Sequence, residues 1–313
     1  MNIKKIGLTA LAASLVSVSA HAGEMSVAGG ASITIKNNSG TDGGKNITMG
    51  NQLTFSGGGE LDNGLNVALS FVLDHADNVA SGFDSHSITV SSDALGSITV
   101  AGDGTGNAQS ALDTTAAGDI WDNGFTHGAA IGYTAMGGSD ANNNKSINYT
   151  LPTIMDDLSV AVSYSGQTTA TNSTTAFGVT YTGVEGLSVS YGAGEAGSTT
   201  ANTAADVTTM KASYAIGSFT AAVSNTENDR GSTGTDEEMS SWKLSYTVSD
   251  DLSVSYGEET HETSGESVDE EFDAISVSYT TGGMTITAAQ YNATGLGNTA
   301  GAANDAERWR SEE

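Results

Sequence analysis

Leu158-Ser159-Val160-Ala161-Val162-Ser163-Tyr164-Ser165 sets a leucine, two valines and a tyrosine against serine and alanine at every second place. Successive side chains of a β-strand point to opposite faces, so this alternation predicts a strand with one apolar and one small polar face. The phrase returns as Leu187-Ser188-Val189-Ser190-Tyr191 and as Leu252-Ser253-Val254-Ser255-Tyr256. Leu65, Val67, Leu69, Phe71 and Leu73 alternate with Asn66, Ala68, Ser70, Val72 and Asp74 in the same way. Trp242, Leu244, Tyr246 and Val248 alternate with Ser241, Lys243, Ser245 and Thr247. After Gly23 no window carries the period of an amphipathic helix.

Between these strands two kinds of connection take turns. The short ones are Asp62-Asn63-Gly64, Asp93 to Gly96, Asp156-Asp157, Val184-Glu185-Gly186, Ile216-Gly217, Asp250-Asp251 and Gly282-Gly283. Such pairs supply the positive φ that tight hairpins need. The long ones are polar: Asn37 to Lys45, His75 to Asp84, Gln167 to Thr175, Ala196 to Asp206, Arg230 to Glu238, Glu259 to Glu270 and Leu296 to Glu307. Tyr149, Tyr181, Tyr214, Tyr246 and Tyr279 each precede a short turn, at spacings of 32, 33, 32 and 33 residues. The repeating unit is therefore one up-and-down hairpin, and counting hairpins gives about 16 strands, the last incomplete.

Composition narrows the function classes. The 313 residues include no cysteine, one proline (Pro152) and 40 glycines, with 10 Lys+Arg against 37 Asp+Glu. The lack of cysteine removes disulfides, thiolate metal sites and cysteine nucleophiles together. A net charge of −27 argues against nucleic acid, whose binding needs clustered cations. A hydrophobic content of 37% is lean for a water-soluble globule, so the apolar residues are expected on a surface that water does not touch. Residues 1–22 carry Lys4 and Lys5, an apolar run from Ile6 to Val18 and a small-x-small ending, Ala20-His21-Ala22. That is the plan of a secretory signal peptide, too short to span a bilayer. Its removal leaves 8 cations against 37 acids, a net −29.

Two architectures host such strands. In a soluble sandwich the apolar faces meet each other; in an antiparallel transmembrane β-barrel they face lipid and the polar faces line a lumen. The polar positions here are small and hydroxylated, as suits an enclosed wet lumen, and the five tyrosines share one height, as in an interfacial girdle. With no apolar 20-residue stretch after residue 22, only a closed barrel satisfies the backbone in lipid. Cross-strand tyrosine pairing within a sandwich is the alternative. Its functional counterpart is a secreted β-rich surface protein, an adhesin or surface-layer type, which has no reason to alternate short and long connections.

The strand phrase, the alternating connections and the secretory start resemble those of the Gram-negative general porins, most closely the acidic alphaproteobacterial members, over residues 23–313. The resemblance implies a 16-stranded outer-membrane barrel, a homotrimer, and passive diffusion of small hydrophilic solutes and ions. It further implies that the third long loop folds inward as a constriction. The longest break in the alternation, 103–145, lies where that loop belongs. Asp103, Asp113, Asp119 and Asp122 are its candidate carboxylates, with Trp121 as anchor. Family members set cations on the wall opposite, and the available candidates on the polar face are Lys36, Lys211 and Lys243. No arginine cluster occurs, and with so acidic a chain the passage is expected to prefer cations or to be weakly selective.

No catalytic or cofactor motif stands against this. The histidines at 21, 75, 86, 127 and 261 are scattered, and Gly192-Ala193-Gly194-Glu195-Ala196-Gly197 has no following helix to complete a dinucleotide site. No enzyme activity, no cofactor and no metal site are expected; Ca²⁺ on acidic loops such as Asp269-Glu270-Glu271 is a weak alternative to solvated charge. The ending departs from the family, whose last strand closes the barrel and stops at an aromatic residue. Trp309 reads as the start of a sixteenth strand, but Ser311-Glu312-Glu313 carries no alternation. That reads as a frame truncated or shifted near Trp309, an open seam and poor insertion, or else as an unusual closure.

Overall fold

The computed structural model describes residues 25–38, 44–74, 85–103, 106–123, 125, 146–166, 173–196, 205–230, 235–301 and 305–312. The segment 1–22 lies outside them, as do residues 126–145 of the longest break. The first four strands are β1 (Met25–Asn38), β2 (Gly44–Glu60), β3 (Asn66–Asp74) and β4 (Ser85–Ser92). β5 (Gly96–Asp103), β6 (Ser146–Thr150), β7 (Leu158–Ser165) and β8 (Thr174–Val184) follow. Next come β9 (Leu187–Ala196), β10 (Ala205–Ile216), β11 (Phe219–Asp229) and β12 (Glu237–Ser249). The last are β13 (Leu252–Thr263), β14 (Glu270–Thr281), β15 (Met284–Thr294) and β16 (Ala306–Glu312). Each strand pairs antiparallel with its chain neighbours, and β1 pairs with β16, so the sheet is a closed 16-stranded barrel.

Closure decides which face is wet. Ile33, Ile35, Ile47, Met49, Leu53, Ile88, Ile98, Trp242 and Leu244 are all exposed on the outer wall, Ile47 at 71% and Met49 at 66%. The buried strand positions are instead mostly small or polar, among them Ser146, Ser163, Thr209, Ser224, Thr226 and Ser241, with Val207 and Met239 as buried apolar exceptions. A sandwich would bury its leucines and valines between two sheets, so the soluble alternative is excluded. Among the described residues an apolar cluster, built on Ile120, Phe125, Phe272 and Leu296, lies inside the barrel where the chain between β5 and β6 meets the wall.

The short turns hold the tyrosines at one level. Tyr181 is opposite Leu158, Tyr214 opposite Leu187, Tyr246 opposite Phe219 and Tyr279 opposite Leu252, in each case the residue that opens the neighbouring strand. The Tyr149 hydroxyl donates to the Leu95 carbonyl at 2.9 Å. A second aromatic tier runs further along the strands, where Phe177 meets Tyr191 (5.8 Å between ring centres) and Trp242 meets Tyr256 (5.6 Å).

Three boundaries differ from the sequence reading. β12 begins at Glu237 and β13 continues to Thr263, with Glu237 paired to Thr263 and Glu238 to Glu262. These residues look like loop because they are acidic; the backbone ladder nevertheless continues through them, with Glu237 and Glu259 buried on the inner face and Glu262 exposed. β16 begins at Ala306, before Trp309, and pairs with β15 from Ala306 to Glu312 and with β1 from Arg308 to Glu312. The expected open seam is absent across these residues, because ladder hydrogen bonds join backbones and do not require alternation. Opposite Met25–Ile33 of β1 no β16 residue stands among the described residues.

Candidate functional site

The chain leaving β5 turns into the lumen, and Asn107 seats it. The Asn107 carboxamide oxygen accepts the N–H groups of Gln109 (2.9 Å) and Ser110 (2.7 Å), opening a 3₁₀ turn at Ser110–Leu112. The wall then takes hold of the loop. The Ala108 N–H donates to the Ser163 hydroxyl of β7 at 2.9 Å, and the Gln109 carboxamide donates to the Thr209 hydroxyl of β10, also at 2.9 Å. From β6, Asn148 donates to the Gly106 carbonyl at 3.2 Å. Two glycines make this approach possible: a Cβ at Gly178 of β8 would lie 2.4 Å from the Ala108 carbonyl oxygen, and one at Gly192 of β9 3.2 Å from the Gln109 Cα.

Further on, residues 114–121 arch across β10 to β13. The Lys211 ammonium donates to the Thr114 carbonyl at 2.6 Å, and Lys243 to the Ala117 carbonyl at 3.3 Å. The N–H groups of Ala116 and Ala117 donate to the hydroxyls of Ser224 (2.8 Å) and Ser241 (2.9 Å). The Thr115 hydroxyl donates to Glu259 of β13, whose other oxygen accepts the Trp121 N–H at 2.9 Å. Within the arch, Thr115 Oγ1 accepts from the N–H groups of Gly118 (3.0 Å) and Asp119 (2.7 Å), while Asp119 Oδ1 accepts the Thr115 N–H (2.9 Å). Asp119 is held in the left-handed region, φ 54°. A second 3₁₀ turn, Ile120–Asp122, then buries Ile120 beside Phe125 and Phe272, whose rings lie 5.6 Å apart. Arg310 of β16 closes the row by donating to Asn123 at 3.0 Å.

These contacts place the residues singled out from the sequence. Asp113 follows the first 3₁₀ turn; burial pushes its carboxyl up to about 7, helped by the negative charge of Asp119 and opposed by Lys211. Asp119 spends one oxygen inside the arch, Asp122 is exposed, and Trp121 packs on the apolar cluster as an anchor. Asp103 ends β5, and its side chain lies outside the described residues. Lys211 and Lys243 do not face the loop across the passage: they reach its backbone carbonyls from the wall it rests on. Their strands are the strands the arch crosses, which alternation alone does not reveal. Lys36 lies on β1, in register with Arg310 across the β1–β16 seam.

Ser163, Thr209, Ser224, Ser241, Glu259 and Arg310 were not singled out, although all carry the loop. For Glu259 a signal existed, since Gly257, Glu259, His261 and Thr263 continue the inward positions of β13. The hydroxyls had none, being indistinguishable from other lumen serines. Among the described residues no three His, Asp or Glu side chains converge as metal ligands.

The sequence pattern of the Gram-negative porins matches residues 7–310. The chain belongs to that family. This porin resembles the outer-membrane-expressed OmpT of Vibrio cholerae at 18% identity, covering 94% of this chain and 98% of that one, with a TM-score of 0.66. The anion-selective porin of Comamonas acidovorans aligns at 16% identity over 91% and 98% of the two chains, TM-score 0.62. OmpF of Salmonella typhi, solved with daunomycin, aligns at 12% over 93% and 97%, TM-score 0.68. At such identities the likeness is one of fold. No curated protein sequence matches this porin significantly. Its family consists of outer-membrane channels rather than enzymes.

Proposed function

We propose that this porin passes small hydrophilic solutes and ions by passive diffusion, prefers cations, needs no cofactor, and works as a homotrimer after its leader, residues 1–22, is cleaved. The observation that carries the cation preference is the charge on the arch. Asp113, Asp119 and Asp122 ride on the loop that narrows the lumen, while Lys211 and Lys243 lie against that loop's backbone instead of forming an opposite positive wall. A net negative eyelet raises the local cation concentration, an effect that salt screens within about 10 Å at 0.1 M. In support of the trimer, Vibrio cholerae OmpT has been solved in a trimer form. The outer wall adds a second support: tyrosine and tryptophan mark it from β6 to β14, whereas β1 to β5 carry neither and expose chiefly Ile, Leu, Val and Met, with Phe71 the aromatic exception.

Reversal potentials across planar bilayers under a KCl gradient test the preference. The expected sign is that of K⁺ excess, weakening at high salt; a chloride-preferring sign overturns it.

A further inference from the structure

Both ends of the arch converge on one side chain. Glu259 is 1% exposed, takes the Thr115 hydroxyl on one oxygen and accepts the Trp121 N–H on the other at 2.9 Å. The remaining wall groups each hold a single loop atom: Ser224 takes the Ala116 N–H, Ser241 the Ala117 N–H, and Lys211 and Lys243 one carbonyl each. Thr115 Oγ1 already accepts two N–H groups, from Gly118 and Asp119, so its proton must go to an acceptor, and Glu259 is that acceptor. The wall beneath is shaped to match, because at Gly257, one inward position away, an added Cβ would lie 2.9 Å from the Ala117 Cβ.

We propose that Glu259 positions the constriction loop and thereby sets the size limit of the passage. The inference rests on the porin reading, since it needs this loop to be what narrows the lumen. Loss of the carboxylate frees both ends of the arch together, leaving the hydroxyl proton and the Trp121 N–H without their acceptor. Loss of any one serine frees a single atom.

Single-channel recording and liposome swelling with uncharged sugars of graded size compare the unmodified protein with Glu259→Gln and Glu259→Ala. Conductance is expected to rise about twofold in Glu259→Ala, with larger sugars admitted, because conduction follows the pore's narrowest section. Glu259→Gln falls between, since one amide oxygen serves two donors. The chain has no cysteine, so Ala117→Cys with Gly257→Cys, added to Glu259→Ala, provides a reversible splint. The 2.9 Å spacing is within about 1 Å of the usual Cβ separation in a disulfide. A Cβ at Gly257 would also lie 2.9 Å from the Trp242 carbonyl oxygen, so the reference is the same oxidised cysteine pair with Glu259 retained. Oxidation should return conductance and sugar limit to that reference, and thiol reduction should raise them again.

Heat-modifiable gel mobility reports whether each barrel folds, and if Glu259→Ala does not, Glu259→Gln with the splint carries the test. Absence of channels in the unmodified protein defeats the porin reading itself. Channels of unchanged conductance and sugar limit in the foldable variants overturn the role of Glu259 alone. So does a rise that the oxidised splint fails to reverse, which would trace the change to lost charge rather than to a moved loop.

Discussion

Asp113 shows how a loop placed in a lumen alters its own chemistry. Burial against the wall and the neighbouring Asp119 charge raise its carboxyl to about 7, although Lys211 pulls the other way. The sign follows: above that pH the group is a carboxylate and adds to the negative charge of the eyelet, and below it the group is neutral. Lowering the pH from 8 to 6 should therefore cut the cation-to-anion permeability ratio by about half, and Asp113→Asn should show the low ratio at both values. Bilayer reversal potentials at the two pH values check this; a flat ratio in the unmodified protein contradicts it. Asp119 tolerates φ 54° because its carboxylate accepts the Thr115 N–H within the arch. Neither property is written in the sequence, where the four loop aspartates look alike. The environment that separates them comes from β10 and β13, nearly 100 residues or more further along the chain.

Among the elements, the strands were legible and the loop's seat was not. Period two is a local property, so β7, β9 and β13 could be read directly from their own residues, and the turns announced themselves through glycine and aspartate. The upper part of β13 reads as loop in the sequence because Glu259-Thr260-His261-Glu262 carries charge; its inward positions nevertheless continue the pleat. The interior apolar cluster was invisible for another reason. Phe272 sits among acids, Glu270, Glu271 and Asp273, and the arriving loop sets Phe125 against its ring in a cluster that also holds Ala293 and Leu296. Phe272 is 2% exposed, so Phe272→Ala should cost about 3 kcal/mol by leaving a cavity under the second 3₁₀ turn. Urea unfolding in detergent measures that loss; a change within error would show that the cluster does not hold the loop.

For the whole molecule, lean apolar content and a closed sheet are two sides of one arrangement. A barrel needs no dry centre, because its apolar side chains dissolve in lipid and its interior is filled with water and one folded loop. Tyrosine and tryptophan are lacking on β1 to β5, and on that arc Ile47 and Met49 are the most exposed large apolar side chains. If this arc joins copies of the porin, Met49→Lys should abolish the heat-resistant oligomer on gels while monomeric barrels still insert. Retention of a full-strength oligomer would place the interface elsewhere.

By itself, the sequence determined the strands, their two faces, the level of the tyrosines and the location of the longest loop, since each depends on residues close together in the chain. Only the tertiary structure decided where that loop lies, which serines, glycines and carboxylate receive it, and that Lys211 and Lys243 serve it rather than oppose it. Those outcomes depend on which strands stand side by side once β1 meets β16, and closure is a property of the ring as a whole that no single stretch of chain encodes.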